Sequence, residues 1–194
     1  MKLATTILAI FVTVNLLSAC APVIIGGAAT GATAAHDRRT VGTFIDDEGI
    51  ELKARGNIIN DKDLNSQIHI NITSINGVVL LSGEAPTEEL RQRAEALVRT
   101  IPKVRLIHNE MTLAAPSSMM TRSSDTLITA KVKTKLFGIK GHPDFDATRV
   151  KVVTENGSVY VMGILYQAEA DAVTDAARQV SGVQRVVKLF EYLD

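Results

Sequence analysis

The chain carries one unit twice. At a shift of 80 residues, Asn76-Gly77-Val78-Val79-Leu80-Leu81-Ser82-Gly83 pairs with Asn156-Gly157-Ser158-Val159-Tyr160-Val161-Met162-Gly163, and the match runs on without a gap through Glu89 with Glu169, Ala96 with Ala176, Arg105 with Arg185 and Leu113 with Leu193. A period of that length is long for a solenoid repeat, so the duplication predicts two compact domains.

Each unit spells out the same elements. Ile68, Ile70 and Ile72 alternate with His69, Asn71 and Thr73, the period of a half-buried strand, and Val150 and Val152 hold the equivalent places. The Asn-Gly pairs at 76 and 156 predict tight hairpins, because a primed turn needs positive φ at both central residues. Gly83 and Gly163 are expected to close the second strand. Leu90, Ala94, Leu97, Val98 and Ile101 then recur at helical spacing, as do Ala170, Val173, Ala177 and Val180, with Pro102 and Gly182 as stops. A last strand is expected over 106–113 and 183–193. Ahead of each hairpin a shorter helix is expected, capped near Asp46-Asp47 in the first unit and Ser124-Asp125 in the second. The result is an α+β unit of helix, strand, strand, helix, strand.

That order, with the Asn-Gly hairpins, the strand-ending glycines, the close on Val180-Ser181-Gly182-Val183 and the lead-in Arg39-Thr40-Val41-Gly42-Thr43, resembles the BON domain (bacterial OsmY and nodulation). The resemblance implies two tandem BON domains, 46–115 and 116–194, each with its helices packed on a three-stranded mixed sheet. It also implies an outer-membrane lipoprotein that binds anionic phospholipid through its second domain and supports envelope integrity. Members often carry Trp where this chain has Leu127.

The first residues agree with a lipoprotein. Lys2 precedes an apolar run from Leu3 to Leu17, too short and interrupted for a comfortable spanning helix, and Leu17-Ser18-Ala19-Cys20 resembles the bacterial lipobox. Residues 1–19 read as the signal peptide, with cleavage before Cys20, a diacylglycerol thioether on its sulfur and an acyl group on its new amine. That covalent lipid is the only cofactor expected. Several acyl chains, at about 0.8 kcal/mol per buried methylene, make a stable anchor. Ala21 stands where an Asp commonly retains lipoproteins in the inner membrane, which favours the outer membrane with the domains facing the periplasm. The Gly/Ala/Thr-rich stretch that follows is expected to act as a tether, over 20–45 in all.

Charge narrows the function further. Lys+Arg and Asp+Glu are 21 each, so bulk positive charge cannot drive adhesion, and nucleic-acid binding is not expected. The first unit holds 8 basic and 11 acidic residues, the second 10 and 9. Within the second, Lys131, Lys133, Lys135 and Lys140 lie close together. On a helical wheel Ile128, Thr129, Val132 and Leu136 form the core stripe, while Leu127 falls outside it and shares a face with Lys131, Thr134 and Lys135. An apolar tip ringed by cations suits an anionic headgroup layer, so these four residues are the expected phospholipid site. The alternative is a solvated helix with Leu127 tucked against the other domain.

Nothing in the sequence points to an enzyme. A single Cys excludes multi-cysteine zinc sites, and His36, His69, His108 and His142 are dispersed, so each reads as a solvated surface residue and no catalytic or metal-ligating residue is expected. Asp144, Asp146 and Glu155 lack the spacing of a calcium loop. Asp46-Asp47-Glu48 reads as an acidic first helical turn. A non-enzymatic lipid-binding module is therefore expected. The other class open is a periplasmic adaptor in which the same helix, or the surface between domains, docks an outer-membrane assembly or cell-wall remodelling protein.

Overall fold

The computed structural model describes residues 38–194. The signal peptide, Cys20, His36 and most of the tether lie outside the described residues. Chain order is α1 (Val41–Asn60), α2 (Lys62–Gln67), β1 (His69–Ile75), β2 (Val78–Ala85), α3 (Glu88–Arg99), β3 (Leu106–Asn109), β4 (Thr112–Leu113), α4 (Met119–Leu136), β5 (Lys151–Glu155), β6 (Ser158–Tyr166), α5 (Gln167–Arg178) and β7 (Arg185–Leu193). A single 3-10 turn, Ala147–Arg149, precedes β5.

Both sheets are mixed, as the resemblance implies, but the first has four strands rather than three because its last strand is split into β3 and β4. In the first, β2 is central, antiparallel to β1 and parallel to β3 and β4; in the second, β6 is antiparallel to β5 and parallel to β7. The strand expected over 106–113 is interrupted at Glu110-Met111, where the Met111 side chain turns into the core. Its counterpart β7 runs unbroken. The glycines expected to close β2 and β6 instead lie inside them, because the neighbouring backbone passes too close for a side chain. A Cβ at Gly83 would sit 2.2 Å from the His69 carbonyl oxygen, and one at Gly163 would sit 3.0 Å from that of Arg149.

Both early helices start before the expected caps. Thr40 and Ser118 accept hydrogen bonds from the backbone N–H of Thr43 (3.1 Å) and Thr121 (3.2 Å), and so begin α1 and α4. Residues 41–45 are therefore helix rather than tether, and Asp46-Asp47-Glu48 lies beyond the first turn. Arg38 is fixed too: its guanidinium grips Glu169 at 2.6 and 2.8 Å, donates to the Ile164 carbonyl and stacks on Tyr166. The two helices are related by 78 residues and the hairpins by 80, so the repeat has a two-residue gap between them. The first unit bridges that interval with α2, the second with a longer irregular segment and the 3-10 turn.

Asp47 and Asp125 act on the hairpins. The Asp47 carboxylate accepts the N–H of Asn76 (2.7 Å) and Gly77 (2.9 Å) together with the Ser74 hydroxyl, and Arg39 pairs with it; Asp125 accepts the N–H of Asn156 (2.9 Å) and Gly157 (3.0 Å). Asn76 and Asn156 adopt φ of 51° and 48°, and the glycines after them 72° and 73°, which gives the expected primed turns. Each Asp thus ties the first helix of its unit to the turn of its own sheet.

Three clusters make the core. One side of the first sheet (Ile72, Val79, Leu81, Ala85) packs on α1, α2 and α3, and the second sheet (Val152, Val159, Val161, Leu165) packs likewise on α4 and α5. The opposite sides meet each other through Ile75, Val78 and Leu80 against Tyr160 and Met162. The molecule is layered helix, sheet, sheet, helix, and the described residues form one compact unit.

Removing a turn-holding carboxylate strands buried N–H groups, each costing about 1–3 kcal/mol. Asp47→Ala should lose roughly 3–5 kcal/mol, since a buried ion-pair partner goes as well, and Asp125→Ala less, both measured by urea unfolding.

Candidate lipid-facing surface and the seam between the domains

α4 keeps its core stripe of Ile128, Val132 and Leu136 buried, as the wheel predicts. Leu127 is 62% exposed and the cavity it lines is made of second-domain residues alone, so the alternative in which it packs against the other domain does not hold. The four expected site residues come together. Leu127, Lys131, Thr134 and Lys135 line an open cavity of about 570 Å³ with Ala130, Gly138, Gln179 and Val180. Its lining is mostly apolar, with Lys131 and Lys135 as its charged members. Among the described residues neither Lys131 nor Lys135 has an ion-pair partner, and both are exposed.

Sequence reasoning missed several parts of this surface. Because α4 starts at Met119, Met120 falls on the helix seven residues before Leu127 and nearly in line with it, 83% exposed. Phe137, 68% exposed, caps the C-terminal end of α4 and lines a separate cavity with Ile139 and Phe145. Ala130 was readable at helical spacing from Leu127, but Gln179 and Val180 arrive from the end of α5 and only the fold brings them in.

A second polar constellation lies between the domains. His69, expected on a solvated face, is instead covered by the second domain, because the outer side of β1 faces the second sheet. Its Nδ1 lies 3.0 Å from Glu84 and 3.9 Å from Glu155. Glu84 also accepts from the Ser117 N–H and the Asn156 amide, and Glu155 from the amide of Asn71. Reciprocally, the Asn76 amide donates to Glu191, and Lys151 pairs with Glu51 at 2.8 Å. Among the described residues His69, Glu84 and Glu155 are the group whose donor atoms come within metal-binding range, all within 4.8 Å of one another. Both Glu84 oxygens and one of Glu155 already accept hydrogen bonds from these neighbours.

The two carboxyls are shifted in opposite directions. Burial pushes Glu84 up, but the N–H of Ser117, the Asn156 amide and His69 outweigh it and hold the group below the usual range. For Glu155 burial wins over the Asn71 hydrogen bond and the nearby His69, with Glu84 and Asp125 pushing the same way, and the group is raised.

A scan of family models matches the BON domain at residues 46–115 and 124–194. The chain belongs to the BON-domain family. It is a dual-BON lipoprotein of the DolP type: it is 39% identical to outer membrane lipoprotein DolP of Haemophilus influenzae over 178 residues, 92% of this chain and 91% of that protein. Other BON relatives include the 21 kDa hemolysin of Actinobacillus pleuropneumoniae, 38% identical over 81% of this chain and 79% of that one. The osmotically-inducible protein Y of Escherichia coli is 27% identical over 75% and 72%. No described helix is long and apolar enough to cross a membrane.

The opposite shifts at the BON–BON seam give opposite pH dependences. Glu84, lowered on folding, contributes stability above the usual carboxylate range that is lost as pH falls through its native value; Glu155, raised, contributes only at low pH and loses this as pH rises through its native value. At pH 7, Glu84→Gln should therefore cost about 2 kcal/mol while Glu155→Gln leaves the thermal midpoint unchanged or raised. Scanning calorimetry at pH 7 and pH 4 checks both, and the Glu84→Gln deficit should shrink in acid.

Proposed function

We propose that the protein is a non-enzymatic outer-membrane lipoprotein, anchored by acylated Cys20 with its domains in the periplasm, that binds anionic phospholipid through α4 and supports envelope integrity. The observation that carries this reading is the exposed Leu127 lining an open, mainly apolar cavity with Lys131 and Lys135, neither of which is ion-paired among the described residues. A lysine near an anionic surface contributes about 1 kcal/mol, and an apolar side chain adds its transfer into the acyl boundary. Lys133 and Lys135 in the last turn of α4 also sit at the negative end of the helix dipole, which keeps cations favourable there. The name of the Haemophilus relative agrees with the location, and the lipobox with the anchor. Leu127 lacks the interfacial preference of an indole, so binding should be weaker than with Trp at that place.

A second reading is a protein adaptor, in which the α4 cavity receives an apolar side chain of an assembly or cell-wall remodelling factor. The same open cavity allows it, but Lys131 and Lys135 in its lining favour phosphate.

Protein lacking residues 1–20 should co-sediment with vesicles rich in phosphatidylglycerol and less so as salt rises. Leu127→Glu with Lys131→Glu should weaken this by more than about tenfold, and Leu127→Trp should strengthen it. Unchanged co-sedimentation of the double variant would remove α4 as the site.

A further inference from the structure

Glycines and large apolar residues alternate along the outer face of α1. Gly42, Ile45, Gly49, Leu52, Gly56 and Ile59 follow one another at steps of three and four, the heptad spacing that draws one stripe along a helix. Ile45, Leu52 and Ile59 are 63%, 74% and 61% exposed, while the buried residues Asp47, Ile50, Ala54 and Ile58 face the domain's own core. Glycine weakens a helix interior relative to alanine, yet this fold does not require it here. A Cβ at Gly49 or Gly56 would meet nothing within 4 Å, and one at Gly42 only the Thr40 hydroxyl at 3.7 Å.

The stripe is complementary to itself. Turn a second α1 antiparallel about a point between Ile50 and Glu51, and Gly42 meets Ile59, Ile45 meets Gly56 and Gly49 meets Leu52 of the other copy. Each large side chain then enters a hole floored by glycine, and the same patch serves both chains, as a two-fold interface demands. Charge follows the same rule. Asp46 and Lys53 flank one side of the stripe, Glu48 and Arg55 the other, and the reversal sets Asp46 against Lys53 and Glu48 against Arg55. Within the chain Asp46 pairs with the exposed Lys103, Arg55 lies 3.7 Å from the largely buried Glu51, and Glu48 lies 3.9 Å from Lys151; the exposed ends of Asp46, Glu48 and Arg55 leave room for a neighbouring helix to share them. A parallel pair would instead stack glycine on glycine and leave gaps beside each Leu and Ile layer.

We infer that α1 is a self-association surface on which a second copy of this chain docks antiparallel. The surface belongs to the first domain and is independent of the α4 site in the second.

Sedimentation equilibrium of the full chain in density-matched detergent tests it, with vesicle binding measured in parallel as the readout of α4. The wild type should show a reversible monomer–dimer equilibrium at micromolar concentration. Leu52→Glu should abolish the dimer without altering vesicle binding or the thermal unfolding measured at concentrations where the wild type is monomeric. Glu48→Arg should weaken it, and adding Arg55→Glu should restore it. A wild type that stays monomeric throughout overturns the inference, whether the stripe is covered by the chain's own first residues or by another protein. So does a dimer indifferent to Leu52→Glu, and failure of the charge exchange to restore overturns the antiparallel arrangement.

Discussion

The asparagine at each hairpin is held from two sides, and the architecture depends on that double grip. Its backbone N–H is bound by an Asp from the first helix of its own unit, Asp47 or Asp125; its side-chain amide is bound by a Glu from the other unit, Glu191 for Asn76 and Glu84 for Asn156. Positive φ at Asn76 and Asn156 is what allows both contacts at once. One residue therefore fixes helix to sheet and domain to domain. Between the two turns the apolar layer of Ile75, Val78, Leu80, Tyr160 and Met162 fills the seam, each such side chain contributing about 1.5–3 kcal/mol when fully buried.

This packing decides which surfaces are left for function. The sheets use much of their faces on each other and on their helices, which leaves the outward sides of the helices as broad free surfaces. On α4 that side carries Met120, Leu127, Lys131 and Lys135; on α1 it carries the alternating glycine and apolar stripe. The two faces differ in chemistry. The first joins apolar side chains to exposed lysines and suits a headgroup layer, whereas the second has balanced charges at its flanks and suits a protein copy of itself.

Much of this was legible. The 80-residue repeat, the Asn-Gly turns and the alternating Ile68-Ile70-Ile72 gave the units, and a simple wheel separated Leu127 and its lysines from the core stripe. The helix starts were misread because Asp47 and Asp125 have the chemistry of caps, and only the fold reveals that their partners are turn amides some thirty residues away. His69 was misread for a related reason: alternation tells which side of a strand is polar, not whether another domain covers it. The clue was in the neighbouring strands, since Val78-Val79-Leu80-Leu81 and Val159-Tyr160-Val161-Met162 do not alternate, the mark of strands buried on both faces. The residues that α5 contributes to the α4 cavity left no trace in the local sequence.

Whether α4 is the surface that meets lipid is tested most directly by following backbone amide resonances of the acyl-free protein as anionic phospholipid micelles are added. The account predicts shifts confined to residues 119–138 and to Gln179 and Val180, with the first domain silent. Shifts centred on the first domain, or spread evenly over both, would contradict it.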